Sequence, residues 1–137
     1  MFLAIEAIAQ NLRNAPHFQT WDVRDGMGLV SRQETPSADV RILGAGVDGG
    51  ASTATVSPSV AVRLTVERSE AAASKLDGAF TAAFSELHGL QIKDGAGRTW
   101  SRLKLSAVRD LPVLEGFVGC ELIFQNDSEF TSKHCEC

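Results

Sequence analysis

A chain of 137 residues, 44% apolar and 22% charged, supports one hydrophobic core and is too short for the paired domains of a dehydrogenase. Its formal charge of −4 and isoelectric point near 5.3 supply no basic surface of the kind that neutralises phosphates, so no specific nucleic-acid binding is expected. No stretch approaches the ~20 apolar residues that cross a bilayer, so no membrane partner is expected either.

The N-terminal "MFLAIEAIAQNL" lacks a basic leading region and carries Glu6 early, so it does not read as a secretion signal. In "FLAIEAIAQNLRN" the residues Phe2, Ile5, Ile8 and Leu12 recur at three- and four-residue steps, which predicts an amphipathic helix that Pro16 ends. From Trp21 to Val30 the pattern is mixed, with "RDGMG" as a turn between two short extended pieces, and "ETPSAD" reads as a loop before a strand "DVRIL". The clearest strand is "SVAVRLTVE", where Val60, Val62, Leu64 and Val66 alternate with Ala61, Arg63, Thr65 and Glu67.

A second helix follows in "SEAAASKLDGAFTAAFSELHG". Ser69 is the expected cap, Gly89 the stop, and Ala72, Leu76, Ala79, Phe80, Ala83, Phe84 and Leu87 form one stripe. Phe80 and Phe84, one turn apart, are expected to pack on the sheet, which sets the cost of Phe84→Ala at about 3–5 kcal/mol. "LQIKDGAGRTWSRLKLSAV" reads as two extended segments around "DGAG", with Leu103, Leu105 and Ala107 alternating against Arg102, Lys104 and Ser106. "FVGCELIFQ" is the last strand, with Val118, Cys120, Leu122 and Phe124 sharing a face and Cys120 expected as a small buried core residue. This order is α+β: a mixed, mainly antiparallel sheet with two helices packed on one face and a long hairpin-type loop.

That loop holds the one motif with a chemical reading. "RILGAGVDGGAST" places Gly44, Gly46 and Gly49 at G-x-G-x-x-G spacing after a strand. A dinucleotide turn requires a helix at the third glycine, whose N–H groups and dipole meet the pyrophosphate. Here "GASTATVSPSV" follows, with β-branched residues and Pro58 opposing a helix, and Glu67, about 20 residues on, is a coincidence of spacing. The segment reads instead as a mobile connection, and Gly44, Gly46, Val47, Asp48, Gly49 and Gly50 are a candidate assembly loop.

The remaining chemistry-bearing residues make no site. His134, Cys135 and Cys137 in "HCEC" do not match structural zinc spacings. His88 is placed to interact with the C-terminus of the second helix, and His17 lies in a loop beside Pro16. Asp22, Asp25 and Asp94 read as solvated turn carboxylates, with no nucleophile or metal set paired to them. Trp21 and Trp100 fit either an interface or the rim of the core. With no even cysteine framework, the three cysteines read as reduced thiols. No catalytic residue, metal site or cofactor is expected.

The runs "VAVRLTVERSEAAASKLDGAFTAAFSELHGL", "GRTWSRLKLSAV" and "GFVGCELIFQ" resemble the tail terminator, or tail completion, proteins of long-tailed bacteriophages and prophages. The resemblance covers the N-terminal helix and residues 60–125 and rests on element order. It implies a non-enzymatic α+β domain over residues 1–130; the cysteine-rich end departs from the family, and residues 131–137 are expected to be a disordered tail because chain termini so often are. The resemblance further implies a homo-oligomeric ring, typically a hexamer, at the head-proximal end of the tail tube. Such a ring stops tube polymerisation and offers a docking surface, so the implied partners are further copies of the chain, the tail tube protein and the head–tail connector protein. The implied location is the virion tail, assembled in the host cytoplasm. Another virion component, such as a head–tail joining or tube protein, shares these expectations, whereas a small nucleotide-binding enzyme predicts ligand binding at the glycines.

Overall fold

In the computed structural model, residues 1–26, 35–112 and 115–134 are described. Helix α1 (Phe2–Asn14) buries Ala4, Ile5, Ile8, Ala9 and Leu12, the face that its spacing predicts. It stops because Ala15, which precedes Pro16, is held extended at φ −72° and ψ 136°. A 3-10 turn over Pro16–Phe18 then drops Phe18 into the core and leads to the short strand β1 (Asp22–Arg24).

Two long strands follow, β2 (Ser37–Gly49) and β3 (Thr53–Glu67). Helix α2 (Ala72–Leu87) is succeeded by β4 (Lys104–Asp110), β5 (Phe117–Gln125) and β6 (Ser128–Thr131). The strands form one six-stranded sheet in the order β1-β2-β3-β5-β4, with β6 paired to β3 beyond the end of β5. Among the described residues only β1 runs parallel to its neighbour, so the sheet is mixed and mainly antiparallel. Ala38 and Val40 of β2, Val60, Val62 and Leu64 of β3, and Leu122 and Phe124 of β5 lie in register on one face, under the apolar stripes of both helices. The fold is therefore the α+β sheet with both helices on one face.

Four local expectations are corrected. "ETPSAD" is not all loop, since β2 begins at Ser37, whose neighbour Ala38 is already in the core. Ser69 provides no side-chain cap: its carbonyl accepts the Ala72 N–H at 3.1 Å in a turn, and α2 starts after it. The buried seam of α2 is narrower than the predicted stripe. Ala72, Ala79, Ala83 and Leu87 are buried, whereas Phe84 is 39% exposed and stacks on His88 at 4.6 Å. Small residues at 79 and 83 let the helix lie close to the layer beneath, and Phe84, about 100° around from position 83, is turned out. Finally, a bulge between Leu105 and Ala107 breaks the alternation in β4, leaving Ala107 and Val108 exposed. Cys120 is half-buried against the core, and burial together with Asp110 and Asp77 pushes its thiol pKa up.

The "DGAG" turn is built around Asp94. Its Oδ1 accepts the Ala96 and Arg98 N–H groups at 2.9 and 3.1 Å, and its Oδ2 accepts the indole N–H of the fully buried Trp100 at 3.0 Å. Asp94 is thus no solvated carboxylate, and Trp100 belongs to the core. The indole hydrogen bond leads the interactions that hold the Asp94 pKa below its ordinary value, with the turn N–H groups adding to it.

Candidate assembly surface

The glycine segment is not a mobile connection. β2 continues through Gly44, Ala45, Gly46, Val47, Asp48 and Gly49, each paired with a residue of β3 from Ser59 back to Ala54, and Gly50 enters the turn that joins the strands. Glycine is poor at holding a strand by itself, but the partner residues Thr55 and Val56 are β-branched, and β3 is paired on its far side as well. There β6 aligns Ser128, Glu129, Phe130 and Thr131 with Val56, Thr55, Ala54 and Thr53. The chain beyond β6 is also tied down at Ser132, whose N–H donates to the Ser52 carbonyl at 2.7 Å.

β6 is itself anchored by the Asp94 turn. The Arg98 guanidinium lies 3.5 Å from the centre of the Phe130 ring and donates to the Glu129 carbonyl at 2.7 Å, while Trp100 meets Phe130 edge-on at 6.1 Å. Pro58, which lacks an N–H, falls in the gap between the ends of β5 and β6, where β3 has no partner on that side. The sequence feature that argues against a helix after Gly49 thus marks where β3 changes partners.

One glycine has a steric reason. At Gly49, with φ +148°, a Cβ would lie 2.5 Å from the Thr53 carbonyl oxygen and 2.6 Å from the Ala54 Cα, so only glycine admits this close turn. Gly44, Gly46 and Gly50 face open space. No helix follows Gly49; the turn and β3 follow, so the N-terminal N–H groups that a dinucleotide turn needs are missing from this segment.

Along β2 burial changes abruptly. Residues 37–40 are buried and residues 43–49 are all exposed, with Leu43 at 42% and Val47 at 70%. The β2–β3 hairpin therefore overhangs the helix layer as a paired arm. Among the described residues, β1 covers the outer edge of β2 only at Ser37, Ala38 and Asp39. At the opposite end of the sheet, among the described residues, no further strand pairs with β4; it is largely exposed, and on the side away from β5 its start is held by His88 at the Leu105 N–H.

The sheet face away from the helices carries a feature not read from the sequence. Arg24, Asp39, Arg63, Glu121 and Arg109 fall in register across β1, β2, β3, β5 and β4, alternating in sign. Glu121, 3% exposed, accepts the Arg63 Nε at 2.7 Å and the Arg109 Nε at 3.0 Å. Burial alone pushes the Glu121 pKa up, but the hydrogen bonds and charges of the two arginines outweigh it and bring the carboxyl below its ordinary value. Arg24 pairs with Asp22 at 2.7 Å, and Arg41 with Asp39. The positive charges of this face are thus largely answered within it, which suits a structural face better than an anion site.

The other candidate residues stay apart. Asp22 is engaged with Arg24, and His17 packs edge-on against Phe18 at 5.2 Å. His88 sits at the end of α2, its backbone N–H donating to the Phe84 carbonyl at 2.9 Å, and its Nδ1 accepts the Leu105 N–H at 3.1 Å, which ties the end of the helix to β4. Trp21 is half-buried against the core. Cys135 and Cys137 lie outside the described residues, as do Met27 to Val30 of the predicted turn region. Among the described residues no three His, Cys, Asp or Glu side chains could hold a metal ion, and no helix is long and apolar enough to cross a membrane.

No family model matches the sequence, and no curated protein matches it. The fold does have a match. A chain of the virion of native gene transfer agent (GTA) particle superposes with a TM-score of 0.67 at 15% identity. The match covers 92% of this chain and 94% of that one. At that identity the likeness is one of fold, and it spans both chains nearly end to end.

Proposed function

We propose that the chain is a structural protein of a phage-like virion that acts as a tail terminator. In this reading it forms a ring, most simply a hexamer, on the head-proximal end of the tail tube, stops tube growth and presents the surface on which the head connector docks. The observation that carries the virion reading is the near full-length fold likeness to a virion chain. The terminator role rests on the element order of residues 60–125, and the overhanging hairpin supplies an assembly arm of the kind a ring requires. Its partners are then other copies of itself, the tube protein and the connector; no cofactor or catalytic step enters. A closed ring repeats one heterologous contact by rotation and leaves no protomer with an unused patch.

Deleting the gene and imaging the resulting particles tests the role. Tubes of uncontrolled length without heads are expected, and supplying the protein restores headed particles of uniform tail length. Complete particles without the protein contradict the proposal. Missing tubes favour the second reading, in which the same fold serves as a tube or head–tail joining protein.

A further inference from the structure

Large apolar side chains left on the surface are not scattered. Among the described residues they are Phe2, Leu3, Leu43, Val47, Phe84 and Val108, and they fall on two opposite flanks of the molecule. Helix α1 packs chiefly on β1 and β2, and its exposed Phe2 borders Ile42 of β2, which Leu43 follows. Helix α2 packs chiefly on β3 and β5, so among the described residues no helix lies squarely over β4. Val108 pairs with the core residue Leu122 and therefore faces the helix side of β4. Asp77, two turns before Phe84, acts on Cys120, the partner of Asp110, while His88, one turn after it, accepts the Leu105 N–H. Phe84 is thereby set beside the stretch of β4 that holds Val108.

The flanks match in height and differ in charge. Across the paired strands Val108 is level with Val40, and Leu105 with Ile42. On the first flank Glu6, one turn along α1 from Phe2 and Leu3, and Asp48, next to Val47, are exposed, and Arg41 is already paired with Asp39. The second flank has exposed Arg102 and Lys104 beside the end of α2, where Arg102 donates to the Gly89 carbonyl. Asp77 and Asp110 lie at its far end, and Arg109 is held by Glu121.

We infer that the first flank of one copy packs through its side chains on the second flank of the next, with Phe2 and Leu3 laid against Phe84, Val108 and the helix side of β4. The inference rests on the ring reading and names the contact that closes it. A contact repeated by rotation joins two different patches of the same chain. An axis along the strands keeps each patch at its height, so the apolar side chains meet and the acidic rim faces the basic one. The helix layer then runs on from copy to copy, α1 of one following α2 of the next, and the exposed apolar side chains leave water.

The native mass of single and mixed variants of the full chain tests the contact. Leu3→Asp damages the first flank and Val108→Asp the second; both positions are exposed, so the melting temperature of the monomer is unchanged. Each variant alone requires a concentration about tenfold higher or more to assemble, because its carboxylate is buried without a partner. Mixed one to one, the two share one intact joint, and a dimer near twice 14.7 kDa forms that grows no further. Leu3→Ser and Val108→Ser repeat the pattern with smaller shifts and decide the matter where a carboxylate disturbs folding. Variants that assemble as the parent does, or that give no dimer on mixing, overturn the contact and leave the ring reading standing. Loss of assembly with Leu3→Asp but not with Val108→Asp overturns it in favour of a joint between two first flanks. A parent chain that stays at 14.7 kDa at millimolar concentration and beside its own tail tubes overturns both the contact and the ring.

Discussion

The β2–β3 ladder has two halves made by different forces. Where Ala38, Val40, Val60, Val62 and Leu64 pair, the strands lie beneath two helices and every one of these side chains is buried. Where Gly44 to Gly49 pair with Ser59 to Ala54, the same ladder runs on with β2 exposed throughout and, among the described residues, no helix above it. The covered half is held by apolar burial, the overhang by backbone pairing to β3 and the β6 anchor. Strand formation and core membership are separate properties here.

The largest expected difference is between the halves themselves. Leu64→Ala, at a fully buried position, is expected to cost about 2–5 kcal/mol in denaturant unfolding, whereas Val47→Ala in the arm changes stability by about 0.5 kcal/mol or less. Equal costs at the two positions would break the comparison. Next in size is the anchor of the arm. Asp94→Ala removes the acceptor of the buried Trp100 indole N–H and of two turn N–H groups, and a loss of about 1–3 kcal/mol is expected. Because Arg98 and Trp100 hold Phe130, the same variant speeds hydrogen exchange in β6 and in residues 53–56 more than in β5; uniform acceleration would sever the arm from this anchor.

Acid acts on the covered half through the opposite sheet face. The folded pKa of Glu121 lies below its ordinary value of 4.5, so its contribution is complete above that value and is lost as the pH falls through the depressed one. Glu121→Gln should therefore be less stable than the parent at neutral pH and should approach it as the solution is acidified. A constant difference across the acid range would show that the carboxylate charge is not what Arg63 and Arg109 require. A small effect is also expected of Phe84→Ala, which loses a half-open stack on His88 worth about 1 kcal/mol or less, well below the cost of a buried phenylalanine.

What the sequence made legible follows from periodicity. The stripe of α1, the alternation of residues 60–66 and the stop at Pro16 were readable because burial imposes a repeat of 3.6 or 2 on the chain. The arm was misread as mobile because glycine, serine and threonine report on local freedom, whereas its order comes from pairing with β3, which no local pattern encodes. Phe84 was misplaced for a related reason, since the pattern admits both sides of a stripe and only the approach of Ala79 and Ala83 decides its width. The charge row from Arg24 to Arg109 was invisible because its members are scattered along the chain and meet only through strand register. Within the arm, Asp48 could be named from the sequence as a member of the segment, but its pairing opposite Thr55 could not.

The proposed closure of this chain into a ring with copies of itself is tested most directly by the native mass of the purified chain measured by light scattering over a range of concentrations. The account predicts a discrete species several times the 14.7 kDa of one chain, a hexamer in the simplest case, that dissociates on dilution. A mass that stays at 14.7 kDa at every concentration, and in the presence of tail tubes, contradicts it.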